Sequence, residues 1–264
     1  MKKVKLLDGA TGTMLWEKAQ AAGLEKVSTW RYNMEAPQLV ADLHARYVAA
    51  GSQIIYTNTF CANRPAVSAE GFEVTDIIKS GVQLARQSAK KGVKVALDFG
   101  PLMNPLEPFG TTSEDDCRRF YREMCQAGRD ADLIVLETFM DAASLAIAAR
   151  EALDTGLPVL CSMSFNIGSR TFFGDGIDSM LKALPEGVTA VGLNCSFGPG
   201  KAVPVIKEFS EKTDLPLLLK PNTADLKPKQ FAEEILPAVP LVSYLGACCG
   251  SSPEYIKALK KLAV

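Results

Sequence analysis

Two adjacent cysteines, Cys248 and Cys249, stand between Gly246 and Gly250 in the segment Ser243–Ser252, directly after a short apolar run. Neighbouring side chains on an extended strand point to opposite faces, so one metal cannot easily take both sulfurs there. A glycine on each side lets the backbone leave strand geometry and turn both sulfurs the same way. Ser252 is placed to cap a following helix and Pro253 suits its first turn, which would aim a helix N-terminus at the sulfurs and favour thiolate. Free cysteine is also a common core hydrophobe, so this decapeptide alone leaves both readings open. A third thiol, Cys195, follows an apolar run that ends in Asn194 and tips the balance towards a soft-metal site. Three thiolates and an open fourth position describe a catalytic zinc rather than a closed structural one. Three thiolates around a dication leave a net negative charge, a poor acid for polarising a carbonyl. Such a centre suits holding a soft fourth ligand as thiolate. The chemistry this implies is activation of a thiol substrate.

The elements that must position these groups alternate strand and helix along the chain. Apolar runs read as strands at Val4–Asp8, Ile54–Tyr56, Val93–Phe99, Leu133–Leu136, Val159–Phe165, Ala190–Leu193, Leu215–Leu219 and Leu241–Leu245. Periodicity and punctuation place helices at Pro37–Ala50, Thr75–Lys91, Glu114–Asp130, Ala142–Leu153, Ile177–Leu184, Lys201–Lys212, Pro228–Leu236 and Pro253–Leu262. Gly51 closes the first of these, and Ser113 with Asp116 makes a capping-box-like start for the third. Eight such units across 264 residues fit a single (β/α)8 barrel spanning the whole chain, with a doubly wound open sheet as the structural alternative. In such a barrel chemistry gathers at the C-terminal strand ends. The polar and sulfur residues there are Asp8, Thr57 to Thr59, Glu137, Asn194, Cys195, Asn222, Cys248 and Cys249.

Composition narrows the partners. With 47% hydrophobic and 22% charged residues and a formal net charge of -1, the chain has the make-up of an ordinary globular protein and no electrostatic reason to bind nucleic acid or a membrane surface. The basic start through Lys5 is broken at Asp8 and too short for a signal peptide, and no stretch approaches the roughly twenty apolar residues of a membrane helix. Seven cysteines without a secretion signal argue for free thiols in a reducing, cytoplasmic compartment.

Other candidates read mainly as structure. Cys117 and Cys125 share one helix and Cys161 lies within a strand, as core residues do. Cys61 follows Phe60 at a strand end, near the expected mouth. The lone histidine, His44, sits mid-helix as a helix-face residue, and with no second histidine neither a triad nor a histidine-rich hydrolytic zinc has anything to build on. Gly9 and Gly12 lack the lysine or spacing of a phosphate loop. Asp8 admits two roles, bonding backbone amides in a tight turn or meeting a substrate, and Glu137 on the same face favours the second.

The segments Leu7–Met14, Thr57-Asn58-Thr59-Phe60, Glu137-Thr138-Phe139, Gly192-Leu193-Asn194-Cys195-Ser196 and Gly246-Ala247-Cys248-Cys249-Gly250 resemble the homocysteine S-methyltransferase family, and most of all its cobalamin-dependent methionine synthase branch. The likeness runs from about Leu6 to Lys257. It implies zinc on Cys195, Cys248 and Cys249 with homocysteine sulfur as fourth ligand, and Glu137 and Asp8 around the substrate amino group. Lys220-Pro221-Asn222 resembles a family segment whose asparagine fills the metal position when homocysteine is absent, which implies that role for Asn222. The loop after Asn222 is shortened relative to the family, and Cys61 is a departure.

The methyl donor follows less directly. A single barrel leaves no room in 264 residues for cobalamin or folate domains, so the carrier is expected from outside. Small sulfonium or ammonium donors need aromatic faces. Aromatic content is 8%, and the Thr59–Asn63 segment offers one ring. The expectation is therefore a transiently docked methyl-corrinoid protein, with methylcobalamin on that partner only. Donors of the S-methylmethionine or betaine type, or a non-catalytic zinc and thiol-binding barrel, are the alternatives.

Overall fold

The computed structural model describes residues 4–166 and 168–262; the basic residues before Val4 that enter the signal-peptide reading lie outside this range. Eight parallel strands form one sheet: β1 (Lys5–Leu6), β2 (Ile54–Tyr56), β3 (Lys94–Phe99), β4 (Leu133–Phe139), β5 (Val159–Met163), β6 (Ala190–Asn194), β7 (Leu217–Lys220) and β8 (Tyr244–Leu245). Their order is β1-β8-β7-β6-β5-β4-β3-β2, so β1 and β2 are the last pair to meet. Single bonds close that seam: Gln53 N donates to Leu6 O at 2.7 Å and Tyr56 N donates to a carboxylate oxygen of Asp8 at 2.7 Å. The sheet is a (β/α)8 barrel, not the open doubly wound alternative.

Parallel strands covered on both faces read as continuous apolar runs, and alternate residues then sort into two buried layers. Leu7, Ile54, Tyr56, Ala96, Leu133, Val135, Leu160, Ala190, Leu218 and Tyr244 form one cluster, the barrel interior. Their strand neighbours, such as Val95, Leu97, Ile134, Leu136 and Leu219, belong to the larger cluster beneath the helices. The inward series continues at the C-terminal strand ends as Asp98 after Ala96, Glu137 after Val135, Asn194 after Ala190 and Gly192, and Lys220 after Leu218. The apolar interior is thus topped by a polar layer. Gly192 is obligatory within that series, because a Cβ there would lie 1.8 Å from Leu218 O.

The eight expected helices are present with shifted ends, such as Val74–Ser88 for Thr75–Lys91 and Glu114–Ala127 for Glu114–Asp130. Ser113 accepts from Asp116 N as expected of a cap, but Ser252 makes no side-chain cap bond before Pro253–Lys260. Three further α-helices occur where the sequence reading places no helix: Gly12–Ala21, Tyr32–Glu35 and Arg64–Ala69. The first has no cap signal to read, since Thr11 makes no side-chain bond at its start. His44 is buried rather than on an open helix face. With neither ring nitrogen bonded, burial holds its pKa down to about 4.

Candidate functional site

A cavity of about 480 Å³ opens at the C-terminal mouth of the barrel, lined at one end by Cys195, Cys248 and Cys249 and at the other by Asp98, Glu137 and Lys220. The three sulfurs lie within 4.8 Å of one another, with Cys195 Sγ 3.2 Å from Cys249 Sγ. Backbone bonds from one segment hold them there. Cys195 N donates to Lys220 O, Cys248 N to Pro221 O at 2.7 Å, and Thr223 N to Cys249 O. The turn between β7 and the following helix therefore braces sulfurs arriving from β6 and β8. Gly250 takes φ +81°, and a Cβ there would collide with Thr223 Oγ1 at 2.4 Å. Gly246 serves differently, by letting Asp8 O approach to 2.7 Å of where a Cβ would stand.

Proton sharing separates the thiols. Hydrogen bonds among the sulfurs hold the exposed Cys249 well below the usual thiol range and push Cys195 above it. The donor set is three soft sulfurs with one already inclined to thiolate, and no histidine or carboxylate completes the group among the described residues. Such a set fits zinc with an open position. A helix of eight residues, Pro253–Lys260, begins shortly after Cys249 in the chain.

The opposite end holds more charge than its sequence motifs announce. Lys220 Nζ sits 3.5 Å from Asp8 Oδ1, 3.7 Å from Glu137 Oε2 and 4.4 Å from the centre of the Tyr56 ring, and is itself almost fully buried. Asp98 is a third buried acid at the same end. Burial pushes the Asp8 and Glu137 carboxyls up to about 7, against the pull of Lys220, and raises Asp98 as well. One lysine faces three acids, and Asp8 Oδ1, Asp98 Oδ1 and Glu137 Oε2 each lack a hydrogen-bond partner. The first and last of these face Lys220 as ion pairs without a hydrogen bond, so a further cationic donor would still offset part of the desolvation of the three acids.

Of the two roles read for Asp8, the backbone one is seen, and the residue lies just below the cavity rather than in its wall. One oxygen takes the Tyr56 amide that closes the barrel, and the other faces Lys220 beneath the cavity floor. Glu137 lines the cavity directly. Asn222 does not join them: it lines a neighbouring cavity with Phe197 to Lys201, its side-chain oxygen unbonded. Cys61 does line the main cavity, its thiol pushed up to about 12 by burial, 3.8 Å from Pro101 O. Cys117, Cys125 and Cys161 are core residues. Sequence reading passed over Lys220 as a site residue and Asp98 altogether. The signal for Asp98 was present, an acid at an inward position of a strand buried on both faces.

The cavity wall is also more aromatic than the single ring at Phe60 suggests, since Trp16, Trp30 and Tyr56 line it too. These come from three separate stretches that only the fold brings together. Around the mouth, Met103, Phe109 and Phe172 stand 77%, 66% and 73% exposed, and Phe173 packs against both phenylalanines.

A family model described as homocysteine S-methyltransferase matches residues 5–263. Methionine synthases of Mycobacterium leprae and Mycobacterium tuberculosis are 26% and 27% identical over 97% of the chain, which spans 24% of their length. Among solved structures, the metallated form of the homocysteine methyltransferase MmuM from Escherichia coli superposes with a TM-score of 0.83 at 22% identity, covering 98% of this chain and 96% of that one. At that identity the likeness speaks for the fold.

Proposed function

The chain belongs to the homocysteine S-methyltransferase family, and from that premise we propose that it is a zinc-dependent methyltransferase converting homocysteine to methionine. The observation that carries this reading is the pairing, in one cavity, of three convergent thiols with an excess of buried acids. Zinc held by Cys195, Cys248 and Cys249 would supply positive charge that keeps a substrate thiol ionised near neutral pH.

The remaining work falls to the chain's own groups. The unpaired oxygens of Glu137 and Asp98 accept from the substrate ammonium, with Asp8 and Lys220 setting the charge beneath them. Backbone amides at the start of Gly12–Ala21, which lines the cavity, suit the substrate carboxylate. Amine and carboxylate fixed at one end leave the sulfur at the other, directed at the cysteines. The substrate sulfur then displaces the donor's leaving group in line at the methyl carbon, forming the S–CH3 bond of the thioether as the bond from methyl to leaving group breaks. Positioning and thiolate activation, not an acid–base pair, supply the rate.

For the donor, the exposed apolar rim of Met103, Phe109 and Phe172 supports a macromolecular methyl-corrinoid carrier that docks transiently over the mouth. The four rings of the cavity wall favour a second reading, a small sulfonium or ammonium donor desolvated against them. No helix among the described residues is long and apolar enough to cross a membrane, and the free cysteines suit a reducing compartment, which we take to be the cytoplasm. The test is turnover of homocysteine by the zinc-loaded protein with methylcobalamin, a methylated corrinoid protein, betaine, S-methylmethionine and S-adenosylmethionine. Methionine formed with the corrinoid protein, and slowly with free methylcobalamin, supports the carrier. Rapid turnover with betaine or S-methylmethionine and none with corrinoids overturns it. Homocysteine bound but never methylated by any donor would make the chain a binding barrel.

A further inference from the structure

The acid Glu137 stands on β4 and the thiol Cys195 directly follows β6, and one buried side chain links the two segments. Asn194, fully buried at the end of β6, spends its amide almost entirely on β4. Its Oδ1 accepts from Thr138 N at 2.7 Å and from Ser162 Oγ at 2.8 Å, and its Nδ2 donates to Thr138 Oγ1 at 2.7 Å. Thr138 needs holding. Its φ is +63°, a conformation that a β-branched residue adopts only when its surroundings over-determine it. It also lies in an irregularity of β4: Leu136 pairs with Cys161 and Phe139 with Met163, so three steps on β4 answer two on β5. The additional residue is a bulge, and bulges re-aim side chains at barrel rims. Here the bulge follows Glu137 directly, so whatever holds Thr138 also holds the strand end that carries the inward Glu137 side chain.

The same asparagine precedes Cys195, which also has a left-handed φ, +45°. Ser196 Oγ donates to Asn194 O at 2.9 Å and Ser164 Oγ donates to Cys195 O at 3.1 Å, which ties this second turn to the strand end of β5. Asn194 therefore joins the turn that carries Cys195 to the strand end that carries Glu137.

We infer that Asn194 is a positioning residue that fixes Glu137 through the Thr138 bulge and sets its distance from the cysteines. This rests on the reading that Glu137 receives a substrate ammonium, and it predicts a selective defect. Losing the clamp should harm a thiol that carries an amine and spare one that does not.

The experiment is calorimetric titration of the zinc-loaded protein with homocysteine and with 4-mercaptobutyrate, the same skeleton without the amine, together with amide exchange of the 133–139 peptide. For Asn194→Ala, homocysteine affinity should fall at least tenfold and 4-mercaptobutyrate affinity less than threefold, with exchange at least tenfold faster. Asn194→Asp keeps the acceptor for Thr138 N–H and can take the Thr138 hydroxyl as donor, so it should recover exchange protection. Equal weakening of both thiols in Asn194→Ala, or unchanged exchange, overturns the inference. If Asn194→Ala does not fold, Thr138→Ala and Ser162→Ala each remove one bond of the clamp. Both should show the selective loss at smaller size, and its absence in both is equally fatal. Should wild-type protein bind the two thiols alike, the amine reading of Glu137 fails, while the exchange data still decide whether Asn194 holds the bulge.

Discussion

The thiol end of the cavity and its carboxylate end are charged sites built by opposite means. Cys195, Cys248 and Cys249 repel one another as thiolates, and Lys220, already paired with Asp8 and Glu137, eases two of them only in part; most of their balance comes from outside. Asp8 and Glu137 have a counter-charge built in, since Lys220 reaches both from β7 and stacks over Tyr56, with Asp98 beside them in excess. A site balanced by an external ion can lose a member and leave the empty fold intact. A buried site balanced internally cannot, because removing one partner strands the others without water. Function should therefore be most fragile at the sulfurs and stability most fragile at the lysine.

The widest split should come from Cys249→Ser. We expect it to lose bound zinc and methyl transfer completely. Cys249 is exposed, so stability of the metal-free protein should move by no more than about 0.5 kcal/mol. Metal analysis and urea unfolding of the same preparation check both, and a full complement of zinc in the variant would break the comparison. Lys220→Met should do the reverse, costing about 3–5 kcal/mol of folding stability by leaving buried acids uncompensated. A loss below about 1 kcal/mol in urea unfolding would show the acids to be neutral or hydrated.

Glu137→Ala should weaken homocysteine binding by about 2–4 kcal/mol, the cost of truncating one side of a buried charge pair, with zinc retained. Unchanged affinity would place the amine elsewhere. Smaller again is the effect of pH. Asp8 and Glu137 are pushed up to about 7, so below that value they hold protons that an arriving ammonium must displace. Affinity for homocysteine relative to 4-mercaptobutyrate should therefore fall as pH drops from 8 to 6, by up to about tenfold per unit. Folding stability runs the other way. Acids with raised folded-state values bind protons more tightly than the unfolded chain, so their contribution is greatest below about pH 4 and declines as pH rises towards 7. A flat affinity ratio would detach the acids from the substrate. The smallest effect belongs to Cys117→Ser, a core thiol that should leave zinc content and turnover as they are.

The two ends also differed in how they could be read. The sulfurs announce themselves because two are adjacent, glycines frame them, and the third closes an apolar run. Glu137 was legible as an acid at a strand end. Asp98 was hidden by its neighbours, since Val93–Phe99 reads as one apolar strand and its single acid carries no local motif. Lys220 was visible as part of Lys-Pro-Asn but not as the counter-charge, because nothing local tells a lysine at a strand end to turn inward. Asn222 illustrates the converse. Its motif placed it near the metal, and it lies in the turn that braces the cysteines, lining the neighbouring cavity with its side-chain oxygen unbonded.

Amino-acid order alone determined the barrel and the thiol chemistry. Strand and helix periods repeat along the chain, and metal-binding sulfurs depend on residue type and short-range backbone freedom. Tertiary structure decided the electrostatics. Whether a carboxylate meets a lysine, whether rings from three stretches share a wall, and whether one asparagine spans two strands all depend on the inward alternation of strands brought side by side by closure. Charges so far apart in sequence interact strongly only once burial removes the water between them.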